Sequence, residues 1–200
     1  MKRSIRCIYI PWMLGVLILL IGCASRPPTR FYVLSTALTP EGAQRPPETP
    51  CVSIGIGPVR IPEYLGRSGI VTNLSAHELM VGDFNKWAEP LEENLPRVLG
   101  ENLSYLLCTK TVFILPASRG TLIDYQVRME VIRMDGKLGD TAVLDVLWTI
   151  VARKEELLTK RSIYREKTGG EGYEEYVSAQ SRNVASLSGE IAKAILARSK

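Results

Sequence analysis

The sequence predicts an α+β fold: a mainly antiparallel sheet of five to seven strands with two main helices packed on one face. Three observations carry this. Residues 123–131 alternate Ile123, Tyr125, Val127, Met129 and Val131 with polar partners, and after the turn signals Asp135-Gly136 and Gly139 a second apolar run fills 141–153. Leu91, Leu95, Leu99, Leu103 and Leu106 recur at three- and four-residue steps, one face of a helix. Tyr173, Tyr176, Val177, Gln180, Val184, Leu187, Ile191 and Ile195 mark a second, longer helix whose other face reads as Ser, Asn, Glu and Lys.

Taken in order, residues 31–34 are a short strand and residues 39–50, with four prolines and Gly42, a loop. Residues 51–61 are rich in Val and Ile. Gly57-Pro58 interrupts the alternation and shifts its phase, the signature of a bulge or bend. Residues 62–66 form a turn. Residues 70–72 and 79–81 are two short strands around a polar link. The period turns helical over 86–109. Pro90 suits a first turn, and Glu89, Glu92 and Glu93 suit the positive end of the helix dipole. Pro96 does not suit an interior: the helix either starts late or bends. Residues 111–115 read as a strand. Residues 157–168 read as a charged strand near a sheet edge.

The first 22 residues form a separate unit. Lys2, Arg3 and Arg6 precede an apolar run over 8–21, and the chain turns polar and proline-rich after Cys23. This is the layout of a secretory signal. A helix over that run is too short for a hydrocarbon core of roughly 30 Å. Leu20-Ile21-Gly22-Cys23 resembles the bacterial lipobox, whose cysteine is acylated and becomes the first mature residue. The expected organisation is therefore a signal peptide over 1–22, a tether over 23–30 and one domain over 31–200. Three of the 25 basic residues lie in the signal, which leaves 22 against 21 acidic ones. That balance offers no nucleic-acid surface. Cys7 leaves with the signal. Cys51 and Cys108 would share an oxidising compartment, either as a disulfide, worth about 4 kcal/mol by loop-closure entropy, or as two buried thiols.

No enzyme is expected. His77 is the only histidine and has no triad or zinc-site partners in sequence. No P-loop occurs, and Gly55-Ile56-Gly57 leads into Pro58 rather than into a helix. The pairs Glu92-Glu93, Glu155-Glu156 and Glu174-Glu175 are solvated neighbours. No cofactor is expected beyond covalent diacylglycerol and N-acyl lipid on Cys23.

Three stretches carry a family resemblance. They are Val59-Arg60-Ile61-Pro62-Glu63-Tyr64-Leu65 with Gly69-Ile70-Val71; Lys86-Trp87-Ala88-Glu89-Pro90-Leu91 running into 94–107; and Glu171-Gly172-Tyr173-Glu174-Glu175-Tyr176-Val177. In order and spacing behind a lipobox they resemble the PqiC-like family of ABC-type transport auxiliary lipoproteins. Pro96 and the Cys51/Cys108 pair depart from that pattern. The resemblance implies a periplasmic domain similar to the N-terminal domain of TolB. It also implies a non-catalytic role beside an MCE-domain protein and an inner-membrane ABC transporter that moves lipids, with a homo-oligomer among the expected assemblies. Ala24, where Asp would favour inner-membrane retention, points to the outer membrane. The alternative function is a lipid carrier holding cargo between sheet and helices. Tyr64 and Leu65, on an apolar turn, are candidate partner contacts. Trp87 is either such a contact or a hydrophobic staple at the helix entry. Tyr173 and Tyr176 are expected in the core.

Overall fold

The structure, a computed structural model, describes residues 27–38, 52–107, 109–116 and 121–199. The signal over 1–22, Cys23, the start of the tether, the loop over 39–50 and both Cys51 and Cys108 lie outside the described residues. The elements run β1 (Arg30–Tyr32), β2 (Ile54–Arg60), a 3-10 turn (Glu63–Leu65), β3 (Gly69–Asn73), β4 (Leu79–Trp87), α1 (Leu91–Leu106), β5 (Val112–Ile114), β6 (Tyr125–Gly136), β7 (Thr141–Ala152), β8 (Glu155–Lys167) and α2 (Tyr173–Leu196).

The α+β class holds, but the strands divide into two sheets. One has five strands in the order β5-β2-β6-β7-β8; the other has three, β1-β4-β3. Both are mixed. β2 runs parallel to β5 and β6, and β1 parallel to β4. The reason lies in the connections. β2 and β5 are separated by α1, and a crossover through a helix returns the chain in the same direction. β6, β7 and β8 follow one another through short turns and are antiparallel. The phase shift at Gly57-Pro58 is a register shift between Ile56 and Val59, with Gly57 at φ +125°. The charged strand β8 is indeed the edge.

One local expectation is corrected and one is narrowed. The short strand over 79–81 extends to Trp87, so Lys86 and Trp87 belong to β4 and not to the helix entry. Pairing overrides local pattern here, since Lys86 lies opposite Phe31 of β1 on one side and Gly69 of β3 on the other. Of the two readings of Pro96, the late start is excluded. Pro90 takes the N-cap position, its carbonyl accepts from the N–H groups of Glu93 and Asn94, and α1 continues through Pro96 to Leu106. The carbonyl of Glu92 loses its helical partner at an exposed position, where water can replace it.

Both helices pack on one face of the five-stranded sheet, α1 over β2 and β5, α2 over β7 and β8, and they touch each other. Ile54, Ile56, Val127, Val146 and Ile150 of the sheet meet Leu95, Leu99, Leu103, Leu187 and Ile191 of the helices, all fully buried. A polar clasp fixes α2 at the β8 edge. Trp148 Nε1 donates to Ser162 Oγ at 3.1 Å, and Ser162 Oγ donates to Glu190 at 2.8 Å. Glu190 also binds Lys160 and Tyr164.

Candidate functional site

The chain enters the fold through a polar seam between the two helices. After β1 pairs with β4, Ala88 N–H donates to the Tyr32 carbonyl at 2.7 Å. Asn94 then binds both backbone groups of Leu34, and Ser35 N–H donates to Ser181 Oγ at 3.2 Å. Thr36 Oγ1 donates to Asn102 Oδ1 at 2.6 Å, and Asn102 Nδ2 to Ser188 Oγ at 3.1 Å. Ser181 and Ser188 return their own protons to Val177 and Val184 carbonyls. Asn94, Asn102, Ser181 and Ser188 are all buried, although the Ser and Asn residues of α2 were expected on its solvated face. A signal was present. Asn94 and Asn102 share a four-residue row with Val98, and Ser181 and Ser188 fall in step with Val177, Val184 and Ile191. Polar residues inside an apolar period read as buried partners for a backbone segment.

The three candidate partner residues separate. Leu65 is 3 % exposed, because the 3-10 turn after Pro62, closed by Leu65 N–H to the Pro62 carbonyl, points it into the core. Trp87 is 8 % exposed at the end of β4, held there by its N–H bond to the Ser68 carbonyl at 2.7 Å. Both are corrected to core residues, since burial leaves no surface for a partner. Trp87 closes β4 three residues before the N-cap Pro90 and is buried in the same core as Leu91, the first residue of α1. Tyr64 alone keeps partial exposure. Its hydroxyl lies against Asp135 and is pushed up from its ordinary pKa, first by burial and then by that carboxylate.

Asp135 belongs to a network that joins both sheets to α2. Arg133 binds its carboxylate, and Asn73 Nδ2 donates to it at 3.3 Å. Gln180 Nε2 donates to the carbonyls of Asp135 and Val143, at 3.2 and 3.1 Å, and Tyr176 OH donates to the Val71 carbonyl at 3.2 Å. Tyr176 is fully buried, as expected, and burial raises its pKa. Tyr173 is half-buried, its ring 6.2 Å from that of Tyr32.

The face of the five-stranded sheet away from the helices carries paired charges. Arg161 makes two hydrogen bonds to Asp145, at 2.9 and 2.7 Å, and these hold the Asp145 carboxyl below the usual range. A shallow groove of about 450 Å³ crosses this face between Arg60, Arg128, Glu130 and Leu147. Among the described residues no three His, Cys, Asp or Glu side chains form a metal-binding set, and no helix is long and apolar enough to cross a membrane. His77 is exposed on the turn between β3 and β4, its N–H facing Ser75.

Comparison with known proteins agrees with this architecture. A solved uncharacterized protein superposes with TM-score 0.68 at 21% identity, covering 84% of this chain and 99% of that chain. The protein XCC0632 from Xanthomonas campestris superposes with TM-score 0.68 at 12% identity, covering 84% of this chain and 95% of that one. At these identities the likeness is one of fold. No curated protein sequence matches the chain. The family model for the ABC-type transport auxiliary lipoprotein component matches residues 32–192, from β1 to the last turns of α2, and the chain belongs to that family.

Proposed function

We propose that this chain is the non-catalytic auxiliary lipoprotein of an MCE-type lipid transport system. In this reading it is anchored by acyl chains on Cys23 to the periplasmic face of the outer membrane, and it docks the MCE-domain protein that works with an inner-membrane ABC transporter. The observation that carries the reading is the family match over residues 32–192 directly behind a lipobox. The seam described above supports it. The chain is locked into the fold from Arg30 onward, so about 25 Å of extended chain at most separates the domain from Cys23. A domain so tethered suits a docking post at a membrane.

Packing weighs against the carrier alternative. The space between sheet and helices is filled by fully buried Ile, Leu and Val side chains, and cargo there would have to separate the two layers. Tyr64 is the remaining partner contact among the three sequence candidates. Affinity capture of the lipidated protein from its own envelope is the test. Recovery of an MCE-domain subunit, reduced by Tyr64→Ala, is the expected result. Recovery of only peptidoglycan or an outer-membrane barrel would overturn it.

A further inference from the structure

We infer that the outer face of β1 and its neighbour β4 is a membrane-contact surface, which lays the domain on the lipid that holds its anchor. This rests on the reading that Cys23 is acylated. The first observation is an apolar outer face on a segment whose inner face is apolar too. Phe31 is 65 % and Val33 43 % exposed, while Leu34 is 1 % exposed and Tyr32 half-buried. The segment alternates as a strand should, yet its outward residues are apolar. Further along β4, Leu79 and Val81 are also exposed. Isolated exposed hydrophobes are ordinary, but a row on one sheet asks for an occupant.

The second observation names that occupant. Arg30 is seven residues from Cys23, and Pro27 and Pro28 stiffen the path between them. However the domain is oriented, Phe31 and Val33 are held within about 25–35 Å of chain from the acyl group. They do not move independently of the fold. β1 is paired to β4, and the next residue after Val33 is gripped by Asn94. The third observation is charge. Arg30 adjoins Phe31 in the chain, and Lys86 lies directly opposite it in the sheet. Cations beside apolar side chains suit phosphate groups above an acyl boundary. Two carboxylates set the edge of the patch: Glu174 of α2 lines the same groove as Phe31 and Val33, and Asp83 is exposed on β4 between Val81 and Lys86.

The orientation that follows is specific. α2 starts beside this patch and ends 24 residues later near the β7–β8 turn, where Leu157, Arg153 and Arg198 line a separate groove. At 1.5 Å per residue that is about 36 Å. One end of the domain rests on lipid and the other is presented away from it.

The test uses the lipidated protein in vesicles of phosphatidylethanolamine and phosphatidylglycerol, with and without brominated phosphatidylcholine. Phe31→Trp adds a fluorophore at the patch, Leu157→Trp adds one at the far end, and Val33→Trp is a second patch reporter should Phe31→Trp misfold. The patch reporters should shift to the blue and lose most of their added emission to bromine, and the far reporter should do neither. Mass spectrometry of the same samples reads acylation separately. If Cys23 carries acyl chains and the patch reporters still emit as in water, the contact surface is wrong while the anchor stands. If they are shielded from aqueous acrylamide but untouched by bromine, the patch is covered by protein, and the inference is equally overturned.

Discussion

Asn94 holds Leu34 by both ends of its amide: Oδ1 accepts the Leu34 N–H at 2.7 Å, and Nδ2 donates to the Leu34 carbonyl at 3.3 Å. One side chain thus imitates a strand neighbour for a backbone that pairs with no strand among the described residues. Both residues are fully buried, so water cannot substitute. Removing the amide by Asn94→Ala leaves two buried backbone groups unpaired, at about 1–3 kcal/mol each. The expected loss is about 2–6 kcal/mol in urea unfolding, with faster exchange of the Leu34 amide than of amides in β6. An unchanged exchange rate at Leu34 would show that the seam does not hold the segment.

The turn between β7 and β8 offers a gain of stability. Ala152 pairs with Glu155, so Arg153 and Lys154 form a two-residue loop, and both have positive φ, 50° and 70°. That is the conformation of a type I′ hairpin turn, which favours Asn-Gly. Side chains with a Cβ are strained there by about 1–2 kcal/mol per residue. Arg153→Asn combined with Lys154→Gly is expected to raise stability by about 1–2 kcal/mol, less than the summed strain because glycine also gains freedom in the unfolded chain. A thermal midpoint equal to or below that of the parent would contradict the turn geometry.

These two sites show what the sequence does and does not reveal. The β6–β7 hairpin, edge strand β8 and both helices announce themselves through period and turn residues, because each buries one face whose spacing survives in the sequence. The β7–β8 turn does not, since Arg-Lys carries no turn chemistry and only the pairing on either side forces its φ values. β4 is hidden for a similar reason: Lys86 and Trp87 take strand geometry from Phe31, Tyr32 and Gly69, neighbours that lie far away in sequence. The separation into two sheets is likewise a property of pairing. At the candidate site, Tyr64 and Leu65 are adjacent on one apolar turn, and only the closure onto Pro62 decides which faces the core. The buried Asn and Ser residues of the seam were legible as polar interruptions of an apolar period, but their partner, the backbone of 34–36, could be found only in three dimensions.

Acid should weaken both the outer face of the large sheet and the clasp that fixes α2 at its β8 edge. The Asp145 carboxyl is held below its ordinary pKa chiefly by hydrogen bonds from Arg161, against an opposing push from burial. A carboxyl depressed in the folded state contributes stability that is fully present above its unfolded pKa, about 3.9, and is lost as pH falls through the folded value. Glu190 behaves alike: burial raises its pKa, but the bonds from Lys160, Tyr164 and Ser162 outweigh it and the net direction is down. The urea midpoint should therefore fall between about pH 5 and pH 3. Asp145→Asn removes one of these two carboxylates and should make that decline shallower. Parallel pH profiles for parent and variant would mean that the Asp145–Arg161 pair adds nothing beyond a solvated contact.

Cys23→Ser separates anchoring from folding. The core among the described residues runs from Leu34 to Ile195, all of it downstream of the tether, so the variant should fold and unfold like the parent domain. What it should lose is attachment. Two or more acyl chains, at about 0.8 kcal/mol per buried CH₂, hold a protein to a bilayer stably, whereas the patch offers only a few partly exposed side chains, Phe31, Val33, Leu79 and Val81, to the interface. The variant is therefore expected in the soluble fraction, with a mass that shows no acyl group. A variant that still partitions with membranes as an acylated species would place the modification at another residue. It would also remove the constraint that sets β1 beside the lipid.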